Sequence, residues 1–69
     1  MNNIFNDIMK AAWAEGRKKT LAERIARYGE YIKRDIELVE KTGKTKYERR
    51  LRNHRMKFTR WSQELLELA

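Results

Sequence analysis

The chain has 69 residues, a net charge of +7, no cysteine and no proline. That length allows one domain with a large wet surface, so a monomer is marginal unless its helices pack well or it pairs with a copy of itself. The missing thiols exclude a disulfide framework and a thiolate zinc site and suit a reducing compartment, and no apolar run approaches the roughly 20 residues that span a bilayer.

In chain order, the first predicted helix covers about 3–15. Its start, Met1 to Ala14, has neither the basic leader nor the small-residue cleavage site of a secretory signal, so a cytoplasmic protein is expected. Ile4, Phe5, Ile8, Met9, Ala11, Ala12 and Trp13 cover more of its circumference than one facing hairpin can hide. The expectation is that this helix packs across the other two or against a second copy, with Phe5, Met9 and Trp13 as self-association residues of a homodimer.

The second predicted helix runs from about 21 to 41. Thr20-Leu21-Ala22-Glu23 fits a capping box, and Gly16 just upstream can end the preceding helix in a left-handed conformation at no steric cost. Because no proline forces a break, fusion of the first two helices across Gly16 is the alternative at this boundary. Leu21, Ile25, Tyr28, Ile32, Ile36 and Val39 form its apolar stripe. Gly29 borders that stripe, which is expected to permit a close approach by a neighbouring side chain. Leu21-Ala22-Glu23-Arg24-Ile25 could open a helix-turn-helix, but Gly29 falls too late for its turn and the helical pattern continues to Val39.

The third predicted helix covers about 46–68, opened by a second capping box at Thr45-Lys46-Tyr47-Glu48 and preceded by Gly43. Tyr47, Leu51, His54, Phe58, Trp61, Leu65 and Leu68 recur at alternating steps of four and three, a single packing seam. The short link from Thr42 to Thr45 permits only an antiparallel hairpin with the seams facing each other. The predicted fold is therefore an all-α, three-helix domain built on an antiparallel helical hairpin.

Catalysis needs positioned acids, bases, nucleophiles or metal ligands, and this chain offers one histidine, one serine and carboxylates scattered among arginines. His54 sits on the seam, where it reads as a packed residue with one nitrogen satisfied; Asp35 or Glu64 approaches it only if the hairpin register allows. No cofactor, metal or enzymatic activity is expected.

The charge pattern points elsewhere. At about 100° per residue, Arg49, Arg52, Asn53, Met56, Arg60 and Gln63 fall on a strip opposite the seam, flanked by Lys46, Arg50 and Lys57. From Arg49 to Arg60 there is no glutamate or aspartate to pair at four residues, so the like charges repel and an anionic partner would relieve them. Arg17, Lys18 and Lys19 make a second cluster before the second helix, and Arg24, Arg27, Tyr31 and Arg34 run along it. The expectation is a non-enzymatic nucleic-acid-binding module, for DNA or RNA, with backbone contacts supplying most of the affinity. The alternative is a small regulator or inhibitor, of the phage or mobile-element accessory type, that docks its basic face on an acidic protein surface of a larger nucleoprotein complex. A third possibility, a basic amphipathic helix lying on an anionic membrane, uses the seam less well than the hairpin does.

Overall fold

The computed structural model describes residues 3–69, which form two α-helices, α1 (Asn3–Thr42) and α2 (Thr45–Leu68). They pack as an antiparallel hairpin: Asp35 meets His54 near the turn, while Arg17 meets Glu64 near the free end of α2. The whole is a rod of 61 × 14 × 14 Å. Among the described residues no helix is long and apolar enough to cross a membrane.

The expected three-helix domain is corrected here, because the first two predicted helices are one. Gly16 lies inside α1 without a positive φ, and Thr20 does not cap anything. Its hydroxyl instead donates back to the Gly16 carbonyl at 3.1 Å, a bond available to threonine within a continuous helix. A helix-interior glycine costs about 1 kcal/mol relative to alanine, too little to break a segment whose neighbours are good helix formers. Lys18 bridges to Glu15 across the glycine at 3.3 Å, adding local support.

The second capping box is also absent. The residue before α2 is Lys44, in an extended conformation (φ −77°, ψ 134°) with no side-chain cap, and Thr45 is already helical. The turn closes from the other side. Gly43 takes a left-handed φ of 63° and donates its N–H to the Val39 carbonyl at 2.8 Å, the single-bond glycine stop expected there. Thr42 donates its hydroxyl to Leu38 at 2.7 Å and accepts the Lys44 N–H at 3.3 Å, so the threonine that matters lies before the glycine.

The two seams face each other as expected, but two helices can hide only one side of each. Among the described residues Leu21 is the one fully buried apolar side chain, and α2 has no fully buried residue; Ile25, Tyr28, Ile32, Leu51, Phe58 and Trp61 are half-buried. Gly29 faces Phe58, whose Cε2 would lie 3.7 Å from an added Cβ. That is ordinary contact, so the glycine is not a steric requirement. The expected packing of the first helix across the hairpin does not occur: residues 4–13 of α1 extend past the end of α2 and are exposed throughout.

Candidate nucleic-acid interface

The outer side of α2 carries the cations that its seam leaves outside. Arg49, Arg52, Asn53, Met56, Arg60 and Gln63 are all exposed, as are Lys46, Arg55 and Lys57. Arg52, Asn53, Met56 and Arg60 line a shallow, open trough along this side. None of Arg49, Arg52, Arg55, Lys57 and Arg60 forms an ion pair with a carboxylate among the described residues. The positive potential along this helix is thus uncompensated over about 16 Å of axis at 1.5 Å per residue.

Arg50, which flanks this strip, stays 54% exposed but directs its charge to an acid of α1. Its Nη2 lies 3.1 Å from Oδ1 of Asp35, which is fully buried, while His54 Nδ1 lies 2.5 Å from Asp35 Oδ2. An ionised carboxylate only accepts, which makes the histidine nitrogen the donor. The Arg50 contact is a charge pairing without hydrogen-bond alignment, which leaves Oδ1 buried and unbonded. This cluster ties the two helices together, and the His54 ring packs against Tyr28 and Tyr31, with ring centroids at 5.2 and 5.3 Å. Among the described residues no group of His, Asp and Glu is arranged to hold a metal ion.

Cations and aromatics also interleave across the helix pair. The Arg24 guanidinium lies 5.5 Å from the Trp61 ring centroid and the Lys57 ammonium 5.8 Å from that of Tyr28, and the two rings meet edge-on at 4.7 Å. Arg24 of α1 and Lys57 of α2 therefore share one aromatic platform, joining the two predicted basic stripes at this point. Lys46 and Arg50 approach the Tyr47 ring from the same helix, at 5.0 and 5.7 Å.

The cluster predicted before the second helix divides. Arg17 is committed to Glu64 through Nε at 2.5 Å and Nη2 at 3.0 Å, a two-pronged pair that clamps the end of α2 onto α1. The hydrogen bond to Arg17 holds the Glu64 carboxyl below the usual carboxylate range. Lys18 is half-buried and leans on Glu15, whereas Lys19 and Arg27 are exposed. Arg17 thus serves the fold. Of the two acids considered for His54, the register delivers Asp35 and sends Glu64 to Arg17, and the Arg17–Glu64 and Arg50–Asp35 pairings are the features that sequence reasoning missed. The spacing of seven from Leu21 through Tyr28 to Asp35 was the available signal that an acid occupies a seam position. Comparison of the chain with protein families, curated proteins and solved structures finds no match.

Proposed function

We propose that this protein binds nucleic acid without catalysing a reaction, using the outer side of α2 to neutralise phosphates. The observation that supports the reading best is the unpaired state of Arg49, Arg52, Arg55, Lys57 and Arg60, although the chain does form ion pairs elsewhere. A stretch that served only solubility would interleave acids, and here the self-repulsion has no intramolecular relief. Lys46, Lys19 and Arg27 extend the cationic surface, and Arg24 and Tyr31 border it. Asn53 beside Arg52 supplies groups able to meet base edges, while the rest of the contacts fall on the backbone.

A mobility-shift titration of duplex DNA and of RNA at several salt concentrations is the test. Binding that weakens steeply with salt and is lost on Arg52→Glu with Arg60→Glu supports the reading; no binding at low salt ends it. One observation favours a second reading: Met56 is 62% exposed in the middle of the arginines, the apolar anchor of a protein interface. Pull-down from lysate with and without nuclease separates the two, because a partner retained after nuclease treatment indicates docking on an acidic protein.

A further inference from the structure

The most exposed apolar surface lies on the opposite end of the rod from the turn. Ile4, Phe5, Ile8, Met9 and Trp13 are each between 55% and 75% exposed. No hydrogen bond or ion pair among the described residues ties residues 4–16 to α2. At about 100° per residue, the apolar arc of this arm points well over a right angle away from the direction in which Leu21, Ile25, Tyr28 and Ile32 face α2. A longer α2 would still miss it.

We propose that the arm pairs with the arm of a second copy, antiparallel, to give an elongated dimer. Area supports this occupant. With large side chains presenting roughly 150–250 Å² each, the exposed residues amount to on the order of 600 Å² per arm. A stable interface buries about 800 Å² per partner, so two arms supply most of the requirement, and a patch of this size is at the upper limit for a free-standing monomer. Ala12 lies within the arc between Ile8 and Phe5, which allows the helix axes to approach closely.

Charge supports it as well, and sets the direction. The arm is nearly neutral, with Lys10 against Asp7 and Glu15, in a chain of net charge +7. Two arms meet without repulsion, whereas a parallel pairing would bring Arg17, Lys18, Lys19 and both hairpins side by side. Antiparallel pairing sends the hairpins to opposite ends. The same near-neutrality disfavours a membrane surface as occupant, since a helix that lies on anionic lipid carries lysine and arginine along its polar side. If the hairpins bind nucleic acid, a consequence that rests on the proposed function, the dimer is bivalent and the second contact becomes intramolecular.

Sedimentation equilibrium of the full chain without nucleic acid tests the dimer independently of that function. The expected result is a monomer–dimer equilibrium in the micromolar range, weakened at least about tenfold by Ile8→Glu with Met9→Glu while the helical circular dichroism of the hairpin is retained. Direction is read by oxidation of single-cysteine variants, since the chain has no other thiol. Pairing around Met9 predicts that Phe5→Cys mixed with Trp13→Cys cross-links the two variants to each other, and that Phe5→Cys alone does not. A monomer at all concentrations, a larger oligomer, a dimer mass unchanged by the glutamate pair, or self-cross-linking of Phe5→Cys overturns the proposal.

Discussion

His54 donates from Nδ1 to Asp35 Oδ2 at 2.5 Å across the helix pair, and among the described residues Asp35 is the one acid that is completely buried. A carboxylate removed from water needs compensation on both oxygens, and here one side has the histidine and the other a charge contact from Arg50 at 3.1 Å. Among apolar seams that can slide by a turn, such a pair fixes which residue of α1 faces which residue of α2.

Removing His54 alone leaves the buried acid without a hydrogen-bond donor, with only the Arg50 charge contact. His54→Ala is expected to destabilise the hairpin by roughly 2–4 kcal/mol, whereas Asp35→Leu combined with His54→Leu costs less than the single change because no poorly compensated buried charge remains. Urea denaturation of the single and double variants checks this; a double variant less stable than His54→Ala would contradict it.

The glycines separate by backbone conformation. Gly43 has φ +63°, so Gly43→Ala should cost about 1–2 kcal/mol. At Gly29, where an added Cβ meets only Phe58 at 3.7 Å, Gly29→Ala should stabilise by up to about 1 kcal/mol through helix propensity. Thermal unfolding of the two variants should show shifts of opposite sign.

Acid should loosen the end of the hairpin. Because the Arg17 hydrogen bond lowers the Glu64 carboxyl in the folded state, the clamp contributes fully above the ordinary glutamate range and is lost as pH falls through the lowered folded value. Carboxyl chemical shifts followed by NMR should place the Glu64 midpoint below the usual range in the wild type. In Arg17→Ala it should move upward.

Salt dependence distinguishes cations that are free from those already paired. If α2 contacts phosphates, Arg52→Ala and Arg60→Ala should each reduce the slope of log affinity against log salt by about 1. Arg17→Ala should leave that slope nearly unchanged, since its charge is answered by Glu64. Equal slopes for all three variants would argue against the α2 strip.

The α2 seam and the glycine stop were readable because they depend on local periodicity and on one backbone conformation. Tyr47 through Leu68 step by four and three, and only Gly43 suits a left-handed stop in the link. The break at Gly16 was misread because its signals, a glycine followed by Thr20 and Glu23, are equally compatible with the interior of a long helix when no proline intervenes. The outer strip of α2 followed from the same angular arithmetic as the seam. What sequence spacing did not reveal is which cations are free: Arg17 is 47 positions from Glu64 and Arg50 lies across the hairpin from Asp35, so both pairings need the three-dimensional register.

Because α1 runs unbroken for 40 residues, the rotational phase between its two ends is hard-wired. Inserting one residue near Gly16 would swing the apolar arm by about 100° about the helix axis while advancing it only about 1.5 Å. Length changes there are therefore tolerable chiefly in steps of seven, or less well three or four, and related chains should show gaps of those sizes in this stretch and few others.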